Sequence, residues 1–208
     1  MGFLDGLLGR RKPAKPNLDA LFSVPNAAIT LQAASDLLPT GKGAVAFRPV
    51  EGRAFADIEA DIRALLDADG GPPVEVVSDG FGYTWIVVST DPPDVSSVVT
   101  DVHAVNVTLA DHGFGPQLLC SLIPFRGPDG QILALVYLFK RGTFYPFAPR
   151  EGEQRDSITE LQIRDLLQGD LPWDTDTSRW FALWGAPGVC RSDTPADGEG
   201  RTPDGGLE

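Results

Sequence analysis

Apolar residues recur at helical spacing in two stretches of the chain. The first covers residues 54–68 and is stopped by the run Gly70-Gly71-Pro72-Pro73. The second begins at Pro92 or Pro93 and ends at Gly113. Its apolar positions are mostly valines, but the 3.6-residue period outweighs their preference for strands. The pattern therefore predicts two amphipathic helices.

Two further helices are predicted near the end of the chain. Ser157 and Glu160 have capping-box spacing, which predicts a helix over residues 157–167. A last short helix is expected to carry the aromatic residues between Trp180 and Trp184. The apolar residues of the helix over residues 157–167 do not form one stripe, so the sequence does not predict which of its faces is buried.

Runs of β-branched, apolar and aromatic residues bounded by turn sequences predict seven strands. They cover residues 28–34, 44–50, 74–77, 83–90, 118–125, 132–139 and 143–147. Glycine-containing turns join the third run to the fourth and the fifth to the sixth, which predicts two hairpins. Pro146 suits an edge strand rather than a central one. Hairpins separated by helices indicate an α+β fold, with a mainly antiparallel sheet and helices packed on one face.

Charge divides the chain into three regions. Of 208 residues, 17 are basic and 29 acidic, giving a net charge of −12. The first fifteen residues carry +3, so the remainder carries −15. We expect an amphipathic N-terminal helix and basic linker over residues 1–16, one α+β domain over 17–190, and a disordered acidic tail over 191–208.

The bulk composition excludes several classes of protein. An acidic body without a basic stripe disfavours binding to nucleic acid. Cys120 and Cys190 lie 70 residues apart without metal-ligand spacing, which suits a reducing compartment. No apolar run is long enough to span a bilayer, and the apolar residues precede the basic ones, unlike a secretory signal. We expect a cytoplasmic protein.

The N-terminal segment has the pattern of an interfacial helix. Four large apolar residues fall within one arc of a helix and basic residues follow them. The apolar residues are Phe3, Leu4, Leu7 and Leu8, and the basic ones are Arg10, Arg11, Lys12 and Lys15. This pattern predicts weak, reversible contact with the inner face of the cell membrane or with a partner. Packing of the same leucines on the protein's own body is an equal alternative.

Catalytic chemistry has little support in the sequence. No serine lies in a GxSxG turn, and the glycine-rich stretches lack phosphate-binding spacing. His103 and His112 are nine residues apart on one helix and face opposite ways, so they do not share a metal ion. We expect no enzymatic activity, no cofactor and no metal.

Asn106 lies in the middle of the valine face of the predicted second helix. A buried amide needs hydrogen-bond partners, and we favour a structural bond to a neighbouring strand. The alternative is a small-molecule or peptide-binding module with a pocket between helix and sheet, with Asn106 and His103 at its rim.

Three tryptophans, Trp173, Trp180 and Trp184, lie within twelve residues near the end of the domain. Tryptophan is enriched in binding hot spots, so they form a possible partner interface. A terminal segment also uses such residues to dock onto its own sheet, and this interpretation is favoured.

Several long motifs resemble one family, the actinobacterial phage-shock-protein-A-associated proteins of the B type, PspAB. The motifs are Met1-Gly-Phe-Leu-Asp5, Leu18-Asp-Ala-Leu-Phe22, Phe81-Gly-Tyr-Thr-Trp85, Asp101-Val-His-Ala-Val-Asn106, Gly113-Phe-Gly-Pro-Gln-Leu-Leu-Cys120, Gly142-Thr-Phe-Tyr-Pro-Phe-Ala-Pro149 and Arg179-Trp-Phe-Ala-Leu-Trp-Gly-Ala-Pro187. The resemblance runs from Met1 to about Val189.

The resemblance implies an accessory protein of an envelope-stress response, without known enzymatic activity. Its implied partner is phage shock protein A, near the inner membrane. The order of elements is also similar to secretion-chaperone-like α+β domains, an analogy about fold alone. From sequence, we expect a non-catalytic adaptor that associates with phage shock protein A, an anionic membrane surface, or both. The oligomeric state stays open.

Overall fold

The computed structural model describes residues 16–48, 53–66 and 72–189, with the backbone alone for residues 53–56. The predicted N-terminal helix, its basic residues and the acidic tail therefore lie outside the described residues. Four α-helices and nine strands are present in the described part of the chain. The helices are α1 (Val24–Ser35), α2 (Arg53–Leu66), α3 (Val95–Leu109) and α4 (Ser157–Leu166). The strands are β1 (Leu38–Pro39), β2 (Lys42–Phe47), β3 (Glu75–Ser78), β4 (Thr84–Ser89), β5 (Leu118–Arg126), β6 (Ile132–Leu138), β7 (Thr143–Phe147), β8 (Pro149–Arg150) and β9 (Gln154–Arg155).

Strands β1 to β7 form one antiparallel sheet, in which six strands have the order β3-β4-β2-β5-β6-β7. The short strand β1 pairs with β5, next to the part of β5 that pairs with β2. The short strands β8 and β9 pair with each other. Both predicted hairpins are present, as β3–β4 and β5–β6, and β7 lies at one edge as Pro146 indicated. The predicted α+β class with an antiparallel sheet is confirmed.

Helix α3 lies at the centre of the helix-covered face and packs on β2, β4 and β5. Its valine face is buried, as the 3.6-residue period predicted. The helix approaches β2 so closely at Gly43 that an added Cβ would lie 2.7 Å from side-chain atoms of Val98 and Val102. Glycine at this position therefore sets how closely helix and sheet pack.

The opposite face of the sheet is covered by an irregular segment at the end of the domain. On this face a second hydrophobic core is present. Its buried residues include Trp180, Ala186 and Val189, together with side chains from β5, β6 and β7. Leu183 and Trp184 pack against it from the outside. The sheet thus has helices on one face and a non-helical chain on the other.

The strand predicted over residues 28–34 is wrong, because these residues belong to α1. Pro25 lies in the first turn of this helix, where a missing N–H costs nothing. Val24, Ala27, Ala28 and Leu31 are buried at helical spacing. A short alanine-rich apolar run does not distinguish helix from strand by periodicity alone.

The helix starts differ from the predicted ones by one to three residues. Helix α3 begins at Val95 rather than at Pro92 or Pro93, and Asp94 caps it because its side chain accepts the N–H of Ser96. Asp156, not Ser157, caps α4 by accepting the N–H of Thr159. The predicted capping box is therefore wrong.

The last predicted helix is also wrong. A single 3-10 turn covers Thr177–Arg179, and residues 180–184 are not helical. Side-chain and main-chain hydrogen bonds, rather than a helix, fix this stretch on the sheet.

Candidate partner-binding surface

The end of the domain returns to the free side of β7. The Phe144 N–H donates to the Pro172 carbonyl over 2.7 Å, and the Asp174 N–H donates to the Phe144 carbonyl over 2.8 Å. These bonds make a one-residue parallel bridge between Phe144 and Trp173. They fix the start of what we call the aromatic segment, residues 173–184.

Each tryptophan of the aromatic segment contacts the protein's own body. The Trp173 indole donates to the Leu167 carbonyl over 3.1 Å. Trp180 is 7% exposed, donates to the Asp174 carbonyl over 3.0 Å and stacks on Tyr145. Trp184 meets the Phe147 ring edge-on at a centroid distance of 5.1 Å. In the structure, these tryptophans are docked onto the protein's own body. This is the interpretation that the sequence analysis favoured.

Arg155 on β9 joins three parts of the fold. Its guanidinium forms a two-point ion pair with Glu160 on α4, with N–O distances of 2.9 Å. It also donates to the Trp180 carbonyl and lies 5.3 Å from the centroid of the Phe147 ring. Arg155 therefore links α4, β7 and the aromatic segment.

The acidic partner of Arg155 is buried, since Glu160 is 2% exposed. Its carboxylate also accepts the Ala148 N–H over 2.9 Å. Burial raises the pKa of Glu160, although the bonds from Arg155 and Ala148 act in the opposite direction. Removing Arg155 would leave a buried carboxylate without its cation.

The Asp174 side chain also holds the start of the aromatic segment. Its buried carboxylate lies 3.3 Å from the Arg179 guanidinium and 3.6 Å from that of Arg141. It also accepts the Asp176 N–H over 3.0 Å. Polar groups thus compensate for the missing helical hydrogen bonds of this segment.

Part of the aromatic segment faces outward. The Phe181 ring is 60% exposed, while its carbonyl accepts the Tyr145 hydroxyl over 3.0 Å. Leu183 and Trp184, at the end of the segment, line a cleft of about 280 Å³ together with apolar Ile132 and charged residues of the β8–β9 hairpin. We call Phe181, Leu183, Trp184 and this cleft the aromatic surface. Sequence reasoning missed Phe181 as a candidate contact, although it lies within the same aromatic run.

His103 and Asn106 lie one turn apart on α3 but in different surroundings. The His103 ring lies 4.7 Å from that of Phe22, and its Nε2 lies 3.9 Å from an Asp19 carboxylate oxygen. Asn106 is fully buried and donates to the Val102 carbonyl and the Ser121 hydroxyl, both over 2.8 Å. The favoured structural bond to a strand is therefore present. Asn106 thus lies inside the core, whereas His103 is half-buried near the surface.

His112 and Cys120 do not form a nucleophile–base pair. His112 lies in the turn after α3, with Nδ1 2.7 Å from the Thr108 carbonyl oxygen. Cys120 belongs to the second core, across the sheet from α3. Burial raises the pKa of its thiol to about 12, far from the value of a reactive cysteine.

Neither a metal-ligand cluster nor a membrane-spanning helix occurs in the described parts of the chain. No three His, Cys, Asp or Glu side chains of residues 16–48, 57–66 and 72–189 converge as ligands. Within the described ranges, the helices are too short or too polar to cross a bilayer.

Comparison with known proteins supports the resemblance seen in the motifs. The family model described as PspAB, PspA associated protein B, matches residues 1–188. No curated protein and no solved structure matches the chain.

Proposed function

The chain belongs to the PspAB family, and from this premise we propose that it is a non-catalytic adaptor that binds phage shock protein A in a bacterial envelope-stress response. The match over residues 1–188 is the observation that carries the proposal, because it spans the described fold except for its last residue. The absence of a nucleophile–base pair at His103, His112 and Cys120 is consistent with an adaptor.

We place the main partner contact on the aromatic surface. An exposed aromatic ring, Phe181, and a half-buried one, Trp184, on the same segment are typical of binding hot spots. The carbonyls of Trp180 and Phe181 accept hydrogen bonds from the Arg155 and Tyr145 side chains, so the Phe181 ring is presented without a large ordering cost. Trp180 is the buried anchor of this surface rather than a contact.

The N-terminal segment supplies a second proposed contact, with an anionic membrane surface or with phage shock protein A. Burial of four large apolar side chains contributes roughly 6–12 kcal/mol before ordering costs. Ordering the segment costs about 1 kcal/mol or more per residue, so the attachment is weak and reversible. Its basic residues each add about 1 kcal/mol near anionic lipid, which makes the contact salt-sensitive.

Affinity measurement with purified phage shock protein A tests the aromatic surface. Phe181→Ala removes the exposed ring and keeps the carbonyl that accepts from Tyr145, so the fold is retained. We expect binding at least about tenfold weaker, as for a hot-spot aromatic residue. Ile158→Ala on α4 is the matched control, because Ile158 is 71% exposed but lies on another element.

Two results would contradict this part of the proposal. Unchanged affinity of Phe181→Ala would exclude the aromatic surface as the contact. No binding by the unchanged protein would exclude a direct association with phage shock protein A.

Vesicle co-sedimentation of the full chain tests the N-terminal contact. We compare the unchanged protein with two double variants, Leu7→Ser with Leu8→Ser and Arg10→Gln with Arg11→Gln. Binding to vesicles containing phosphatidylglycerol should fall for both, and the second variant should lose part of the salt dependence. Equal binding by all three proteins would exclude the membrane contact.

A further inference from the structure

The two edges of the sheet are treated differently by the chain. At the β7 edge, residues 172–174 bond to both main-chain groups of Phe144 and cover the strand end. At the other edge, β3 pairs with β4 on one side, and none of residues 16–48, 53–66 and 72–189 pairs with its outer side. An edge strand presents unpaired N–H and carbonyl groups that fit another extended chain.

Strand β3 has only part of the protection that edge strands normally carry, namely its short length and the charge of Glu75. Its sequence, Glu75-Val-Val-Ser78, contains no lysine, arginine or proline, and its register with β4 runs without a bulge. Val77 on the strand is 37% exposed, and Phe81 in the adjoining turn is 58% exposed. The edge is therefore flat, short and partly apolar.

We propose that β3 pairs antiparallel with β3 of a second copy of this chain, so that the two sheets join into one. A two-fold symmetric interface presents the same patch from both copies, and a strand edge is complementary to itself in this arrangement. This inference is independent of phage shock protein A.

Symmetry and charge decide between the two registers that are centred on a valine. In an antiparallel pair, the two-fold axis passes between two copies of the same residue, because neighbouring pairs differ in hydrogen bonding. An axis at Val77 would place Glu75 opposite Asp79 of the second copy, which opposes like charges. Asp79 accepts hydrogen bonds from Phe81, Tyr83 and Trp85, which stabilise its charged form.

An axis at Val76 avoids this repulsion. It places Val76 opposite Val76 and Glu75 opposite Val77 of the second copy. A β-branched pair then forms on the helix-covered side of the joined sheet, where Val76 already packs against the core. This is the register that we assign.

The charge of the two bodies predicts a salt response. Each chain carries a net charge of −12, so two copies repel each other at long range. Salt screens this repulsion but leaves main-chain pairing and apolar contact in place. The dimer should therefore strengthen with added salt, whereas contact of the basic N-terminal segment with an anionic surface should weaken.

Sedimentation velocity of the full chain over a wide concentration range, at low and high salt, tests the inference. Val77→Glu places a new carboxylate opposite Glu75 of the second copy twice per dimer, and should weaken the dimer by about three- to tenfold. Glu75→Lys combined with Val77→Glu replaces both repulsive pairs by attractive ones, and should restore it. Gln162→Glu on the exposed side of α4 adds the same charge elsewhere and is the control.

Circular dichroism establishes that the variants are folded before they are compared. A dimer that weakens with Val77→Glu beyond the control and recovers in the double variant supports the assigned register. A monomer at every concentration and salt would overturn the inference. So would a dimer that Val77→Glu affects no more than the control does, or one that the double variant does not restore.

Discussion

The two faces of the sheet are covered by different means. Helices α1, α2, α3 and α4 cover one face with apolar stripes, and in that core the buried side chains of Asn106 and Ser121 are hydrogen-bonded to each other. The aromatic segment covers much of the β5–β7 part of the other face without regular structure, and it is held by Arg155, Asp174 and the Tyr145 hydroxyl. Apolar burial occurs on both faces, but on the second face side chains also bond to the main-chain carbonyls of the covering segment.

Backbone hydrogen bonding explains the difference. A helix satisfies its own N–H and carbonyl groups, so it buries apolar side chains without polar help. An irregular segment leaves these groups unpaired, and buried ones need side-chain partners. The carbonyls of Asp174, Trp180 and Phe181 are bound in this way by Trp180, Arg155 and Tyr145.

Arg155→Ala should have the largest effect, because it removes the cation beside Glu160 and the donor to the Trp180 carbonyl. Breaking a buried ion pair by removal of one partner costs about 3–5 kcal/mol. We expect this loss in the free energy of unfolding measured with urea, together with greater exposure of Trp180 by fluorescence.

Arg150→Ala is the matched control, because its side chain is mostly exposed and pairs with Asp156 at the surface. We expect a change of about 1 kcal/mol or less for this variant. Similar losses in both variants would mean that Arg155 does not hold the second face together.

Gly43→Ala should have an intermediate effect, on the helix-covered face. The added methyl would meet Val98 and Val102, so α3 must shift away from β2. Overpacking of this kind costs about 1–3 kcal/mol, measurable as a lower midpoint of thermal unfolding.

The control for this change is Gly80→Ala, since an added Cβ at Gly80 meets nothing within 4 Å. An equal or larger loss for Gly80→Ala would contradict the close approach of α3 and β2 as the cause.

Asp79→Asn should have the smallest effect and should depend on pH. Burial raises the pKa of Asp79, but hydrogen bonds from Trp85, Tyr83 and Phe81 lower it more, so the pKa lies below its usual value. In the variant, an NH₂ group replaces the carboxylate oxygen that accepts the Trp85 indole N–H. An NH₂ group does not accept this hydrogen bond, so the indole donor is left unpaired, which costs about 1–2 kcal/mol.

The sign of the pH dependence follows from the lowered pKa. The folded state favours the carboxylate, so this contribution is present above the ordinary value of 3.8 and is lost as pH falls below it. Unfolding measured from neutral to acidic pH should show the variant and the unchanged protein converging in acid. A constant difference would contradict the role of the charge. Asp129→Asn, at an exposed turn of the other hairpin, should leave neutral-pH stability nearly unchanged.

Much of the fold was predictable because its signals are local. The valine period of α3, the glycine turns of the two hairpins and the edge position of Pro146 each depend on neighbouring residues. The strand predicted at residues 28–34 failed because alanine-rich apolar runs fit both periods. The candidate site was predicted only as a group of tryptophans, since the sequence does not show which ring is buried.

The sequence by itself determined the α+β class, the hairpins and the stretch of chain that holds the tryptophans, because periodicity and turn chemistry act over a few residues. The tertiary structure decided that Trp180 is buried and Phe181 exposed, and that Arg155 lies between Glu160 and the Trp180 carbonyl. It also decided that β7 is covered while β3 is not covered by the described residues. These features depend on groups far apart in the chain, whose meeting is set by packing and by the need to pair buried polar groups.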